Sequence, residues 1–143
     1  GHEDMVRNHG REAGRIDQPI GALLKDLRRR GMLDDTLVLF TSEFGRTPFT
    51  QSDANTVGKG RDHNMYGFSV WLAGGGAKPG TAYGATDELG WKAVEHPTAW
   101  HDFHATVLHL LGFDHERFTY KFQGLDQRLS GVLPARVVDE LLA

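Results

Sequence analysis

Apolar residues return every three or four positions at Ile16, Ile20, Leu23, Leu24 and Leu27, a spacing that predicts an amphipathic helix from Asp17 to Arg30. Asp17 suits the N-cap, and Pro19 is acceptable only within a first turn, where its missing N–H has no intrahelical partner to lose. Gly31 then ends the helix, because glycine alone enters the left-handed conformation at no steric cost. The pattern changes at once: Thr36 to Thr41 is a continuous apolar run with β-branched members, as expected of a strand covered on both faces. Helix, turn and strand in this order make half of a βαβ unit and point to an α/β fold.

Periodicity fades between Pro48 and Gly67. A polar loop of that length inside a domain is uncommon unless it has a function, and a functional loop is the expectation here. Phe68 to Ala73 reads as a second strand, closed by Gly74, Gly75 and Gly76. This glycine run lacks the spacing of a dinucleotide fingerprint and the Lys-Ser/Thr of a phosphate loop, so it is read as a flexible strand exit. Pro79 to Pro97 is irregular, with Gly80, Gly84 and Gly90 as turn residues, and Asp87 and Glu88 are placed where acidic side chains satisfy backbone donors. Phe103, Val107, Leu110 and Leu111 give a helix from Asp102 to Leu111, with Asp102 available to cap it. A hairpin-like polar stretch around Lys121 to Leu129 and a short final helix from Pro134 to Leu142 complete the chain, and no internal repeat is present.

Composition narrows the classes. At 143 residues and 39% hydrophobic content, residues 1–143 have material for one core. The net charge of -3 and the lack of any basic block beyond Arg28, Arg29 and Arg30, which sit at a helix end where cations suit the dipole, argue against a nucleic-acid partner. With no cysteine, disulfides and thiolate metal sites are excluded, although the compartment is not fixed. No apolar run approaches the roughly 18 residues of a membrane span. The opening Gly1 to Met5 has no signal-peptide pattern, and a start without an initiator methionine fits a processed chain or an excised fragment.

The chemistry-bearing residues gather around the first strand. Ligands collect outside the carboxyl ends of strands in open α/β sheets, and the run ending at Thr41 opens onto Glu43 and Arg46, with Gly60, Arg61, Asp62 and His63 following the polar loop. Imidazole and carboxylate are the strong ligands left for a divalent ion when thiolates are absent, and His2, Glu43, Asp62 and His63 supply both. A solvated polar surface fits the same residues, since no short HxxxH or HExxH spacing concentrates the signal. Arg46 and Arg61 suit a phosphate, sulfate or carboxylate through their guanidinium forks, or else tie the loop to nearby carboxylates. His101, His104, His109 and His115 read as capping or packing residues; His104 and His109, five apart, lie on different parts of a helix surface.

A resemblance adds to this reading. The segments Ile16 to Leu27 and Gly31 to Gly45 look like the helix, strand and metal passage of sulfatases and the alkaline phosphatase superfamily, where the strand ends in Ser-Asp-His-Gly. Ser42 to Pro48, Gly60 to His63, Ala73 to Gly76, Gly84 to Gly90 and Asp102 to Gly112 together resemble the exported bacterial family called domain of unknown function 1501. That resemblance implies a three-layer α/β/α sandwich of alkaline phosphatase-like type, of which residues 1–143 would be the C-terminal part. It implies a divalent ion (zinc, manganese, magnesium or calcium) held by Glu43, His63 and His2; Arg46, Arg61 and Asp62, from the residue chemistry above, are the candidate catalytic residues beside it. It also implies a periplasmic or otherwise exported location. Glu43 stands where the superfamily has Asp, and Phe44 replaces the adjacent ligand His, which favours a single-ion site. The family's nucleophile and first metal-binding Asp would lie upstream of residue 1.

Two functions follow as expectations: metal-assisted hydrolysis of a small-molecule or glycan phosphate or sulfate ester, or a non-catalytic exported protein that binds its ligand through the Pro48 to Gly67 loop. Sheet edges left open by an incomplete domain predict a homo-oligomer, or association with the missing N-terminal half.

Overall fold

The computed structural model describes residues 2–143, a mixed α/β chain of two helices and four small antiparallel sheets of two strands each. Helix α1 spans Met5–Arg29, followed by β1 (Val38–Phe40), β2 (Gly45–Arg46), β3 (His63–Asn64), β4 (Trp71–Ala73), β5 (Ala85–Thr86) and β6 (Ala93–Glu95). Helix α2 (Trp100–Leu110), β7 (Thr119–Phe122), β8 (Leu125–Arg128) and a 3₁₀ turn at Asp139–Leu141 complete the order.

Helix α1 begins twelve residues before the expected start. Its N-cap is Asp4, whose carboxylate accepts the Arg7 N–H at 3.0 Å, and Pro19 falls inside the helix instead of in its first turn. The far end is as expected from Gly31, which has φ +67. Its N–H donates to the Arg28 carbonyl while the Met32 N–H donates to the Leu27 carbonyl, so the two bonds of a Schellman motif close the last turn. No residue of α1 is buried.

The first strand pairs antiparallel with β4, matching Val38 with Ala73, Leu39 with Leu72 and Phe40 with Trp71. The parallel, doubly covered strand expected from sequence is therefore corrected: β1 has one antiparallel neighbour, and Leu39 and Phe40 are 38% and 39% exposed. Phe40 stacks on Trp71 at 5.4 Å between ring centroids. The glycine run after β4 is a tight fit, not a flexible exit. A Cβ on Gly74 would overlap the carbonyl oxygens of Leu33 and Thr36, and one on Gly75 would run into Leu37. All three glycines have positive φ, so backbone passes directly over backbone where a side chain has no room.

The stretch from Pro79 to Pro97 is more ordered than its sequence indicates. It holds the β5–β6 ladder, and Asp87 closes the turn between them by accepting the N–H groups of Trp91 at 2.8 Å and Lys92 at 3.3 Å. Helix α2 carries much of the small core, with Phe103, Ala105 and Thr106 buried. Asp102 is its third residue and not its cap: one carboxylate oxygen accepts the Ala99 N–H and the other accepts the Arg136 N–H at 2.9 Å. Thr106 continues the attachment, its hydroxyl accepting the N–H of the fully buried Val138 at 2.9 Å.

The expected helix from Pro134 to Leu142 shrinks to a single 3₁₀ turn: the Val138 N–H, held by Thr106, is not free to bond back to the Pro134 carbonyl as that helix requires. The β7–β8 hairpin covers the polar stretch read from sequence. It turns at Gln123 and Gly124, with φ +48 and +83, the positive pair that matches the twist of flanking strands in a two-residue hairpin.

Candidate metal centre

Short ladders position the site. Arg46 of β2 lies opposite His63 of β3, and Gly45 lies opposite Asn64. Gly45 is required there, because a Cβ would overlap the Gly67 carbonyl and come within 2.8 Å of the Phe68 Cβ. Thr47, nearly fully buried, locks the pairing by donating its N–H to the Asp62 carbonyl at 3.0 Å and accepting the Asp62 N–H on its hydroxyl at 3.2 Å. Asn64 fixes the other side, its amide donating to the Trp91 carbonyl at 2.7 Å.

The polar loop folds back on itself through a bridge between Gln51 and Gly60. The chain start joins the same edge through a parallel bridge from Asp4 to Lys59, with the Met5 N–H donating to the Lys59 carbonyl at 3.1 Å. That bridge brings His2 beside a residue 61 positions away: its Nε2 lies 2.9 Å from the Nε2 of His63.

Short polar contacts surround the two imidazoles. His2 Nδ1 lies 2.6 Å from Gln51 Oε1. His2 Nε2 faces the guanidinium Nη1 of Arg46 at 3.2 Å as well as the His63 ring. Asp62 completes the group, with its Oδ1 4.0 Å from His2 Nδ1 and accepting the His63 N–H at 2.7 Å. One donor atom from each of His2, Asp62 and His63 lies within 4.8 Å of the others, and all three residues are exposed. Two neutral-capable imidazoles and a carboxylate form a donor set suited to zinc and neighbouring divalent ions.

The remaining candidates fall around this group. Arg46 reaches the site and is tied to the loop, donating from Nη1 to the Arg61 carbonyl at 3.2 Å. The Arg61 side chain makes no hydrogen bond or ion pair among the described residues, and neither does Glu43, which is exposed and outside the convergent group. Phe44 does more than replace a ligand: its ring stacks on His63 with centroids 3.7 Å apart, while the Arg46 guanidinium lies 5.6 Å from its centroid. Gln51 and the stacking role of Phe44 were not evident from sequence, since neither belongs to a spacing with chemical meaning. Of the four later histidines, His104 stacks on Trp100 as a packing residue.

These features define a mixed α/β chain with an exposed histidine and aspartate cluster at the base of a long polar loop. Residues 1–142 match the family described as Protein of unknown function (DUF1501), and the chain belongs to that family. It is also similar to N-sulphoglucosamine sulphohydrolase of Homo sapiens, 50% identical over 42 residues. That similarity spans 29% of this chain and 8% of the human protein, so the chain covers a small part of the curated relative's length. No solved structure matches the chain. No helix among the described residues is long and apolar enough to cross a membrane.

Proposed function

We propose that the protein is a metal-dependent hydrolase of phosphate or sulfate esters, and that residues 1–143 are the C-terminal part of an alkaline phosphatase-like α/β/α sandwich whose upstream part supplies the nucleophile. The convergence of His2, Asp62 and His63 beside Arg46 carries this reading. The partial likeness to a sulphohydrolase supports it.

His2, Asp62 and His63 would hold a divalent ion, the two imidazole Nε2 atoms lying 2.9 Å apart beside the carboxylate. When bound, such an ion neutralises the charge that develops on ester oxygens. The guanidinium of Arg46, already aimed at His2, holds an anionic ester oxygen, and the unpaired side chain of Arg61 supplies a second cation from the same loop. Glu43 belongs to the proposal as a further ligand that such an ion would recruit. The substrate is a small-molecule or glycan ester, and the location is exported or periplasmic.

Elemental analysis and metal titration of the full protein, followed by turnover of an aryl phosphate and an aryl sulfate, test the reading. His63→Ala and Asp62→Asn are expected to weaken metal binding about 10- to 100-fold and to remove turnover together. Metal binding and turnover unchanged in both variants would overturn it. Glu43→Ala separates the ligand sets: unchanged affinity confines the ion to His2, Asp62 and His63.

One observation favours a second reading. Phe44 covers a face of His63 and cannot ligate, which suits a non-catalytic exported protein that binds an anionic ligand at the same loop. Metal-loaded protein that retains a sulfate or phosphate ester without cleaving it would support that alternative.

A further inference from the structure

A cavity of about 330 Å³, lined by neither His2 nor His63, lies between the segment leading into β4, the β5–β6 ladder and the first turn of α2. We propose that it binds a neutral pyranose-sized sugar unit. Its size is that of a small-ligand pocket. Its apolar side is aromatic: Trp100 and Phe68 sit with ring centroids 5.4 Å apart, and Phe103, only 6% exposed, meets Trp100 edge-on at 5.3 Å.

Its polar side is open to solvent and not engaged within the protein. Ser69, Thr86 and Glu95 all line the cavity, and none of their side chains makes a hydrogen bond or ion pair among the described residues. A purely aromatic ligand would cover the rings and offer these groups no hydrogen-bond partner in place of the water it displaces. A pyranose instead presents a C–H face to the rings and hydroxyls to the hydroxyl and carboxylate side chains. The two kinds of lining therefore select a ligand that is apolar on its face and polar around its edge.

The rim is also held in a costly conformation. His96 lines the cavity with φ +44, a region unusual for a residue other than glycine. It is kept there by the Tyr83 ring stacked on it at 5.0 Å, and Tyr83 is in turn anchored by the Arg136 guanidinium donating to its hydroxyl at 3.0 Å. Gly84 admits the close approach, since a Cβ there would lie 3.0 Å from the Glu95 carbonyl oxygen and 3.2 Å from that of His96. Backbone strain of this kind persists where surrounding structure fixes it, and it fixes the wall that carries Glu95.

The test is a titration of the full protein with cellobiose and with chitobiose, followed by ligand-observed and amide NMR, in the presence of a chelator so that no bound ion contributes. At least one disaccharide is expected to bind, with shifts at residues 65–70 and 93–100. Glu95→Gln and Thr86→Val, both at exposed positions, are expected to weaken it about tenfold each while the rest of the amide spectrum stays in place. Indole serves as the contrasting probe. The proposal is overturned if neither disaccharide shifts the pocket, if indole binds there more tightly than both, or if both variants leave saccharide affinity unchanged. Because the chelated protein is used, these outcomes are independent of the proposed metal chemistry.

Discussion

Gly74 and Gly80 offer a controlled comparison of what a side chain costs at one residue. Both have positive φ, +70 and +65, yet a Cβ on Gly74 would overlap two carbonyl oxygens while one on Gly80 meets nothing within 4 Å. Gly80→Ala is expected to cost about 1 kcal/mol from backbone conformation alone, and Gly74→Ala about 3 kcal/mol or more because overlap is added. Urea denaturation of the two variants measures the difference, and equal midpoints would contradict the packed reading of the glycine run. Sequence alone could not separate these glycines, because the distinction lies in which backbone crosses them. The candidate site was legible to a similar depth. His2, Asp62 and His63 were recognisable as metal-ligating residue types, but their meeting depends on the Asp4 to Lys59 bridge, a long-range pairing that no local period encodes.

Among the elements, those defined by local chemistry were readable and those defined by tertiary bonds were not. Helix α2, the Gly31 stop and the β7–β8 turn follow from apolar spacing and glycine placement. The first half of α1 does not, because Gly10 and Gly14 interrupt a mostly polar stretch and its apolar period begins only at Ile16. The final segment departs from its apolar pattern because Thr106 of α2 holds the Val138 N–H. Thr106→Val should therefore leave the Val138 N–H without its acceptor in a fully buried position, costing about 1–3 kcal/mol. Thr106→Ser, which keeps the hydroxyl, should retain that bond; a thermal melt in which the serine variant falls as far as the valine variant would argue against its importance. A pH effect belongs to α1. Hydrogen bonds from Arg11 and then Arg15 hold the Glu12 carboxyl below the ordinary glutamate range. A depressed folded-state value means that this contribution is present above the unfolded-state value and fades as pH falls through the folded one. Acidification through and below the ordinary carboxylate range should slightly reduce far-UV helicity, and Glu12→Gln should flatten that response; the effect is small because the pair is exposed.

At the scale of the whole molecule, surface area exceeds what a self-contained fold of this mass presents. The chain exposes 10458 Å² at 15.9 kDa, whereas folded monomers of that mass expose about 7,400 Å². Among the described residues the buried hydrophobic ones are Phe103, Ala105 and Val138. Ile16 and Leu23 of α1 and Leu39 and Phe40 of β1 remain substantially exposed. Helix α1 makes the same point energetically. Three internal glycines and Pro19 cost it about 6 kcal/mol relative to alanine, and no buried residue offsets that cost. A helix so composed persists when another surface covers its apolar stripe, and an open strand such as β1 invites pairing along its free edge. Residues 1–143 expressed alone are therefore expected to self-associate, or to be stabilised by further polypeptide of the same protein covering α1 and β1. Light scattering distinguishes these states from a monomer, and hydrogen exchange reports on the cover. The amides of α1 should exchange rapidly in the uncovered chain and slowly where such a surface covers them, whereas those of α2, anchored by Thr106 and Asp102, should be protected in both states. A clean monomer whose α1 amides are as protected as those of α2 would contradict the need for a covering surface, because the helix would then hold itself in place with its apolar face in water.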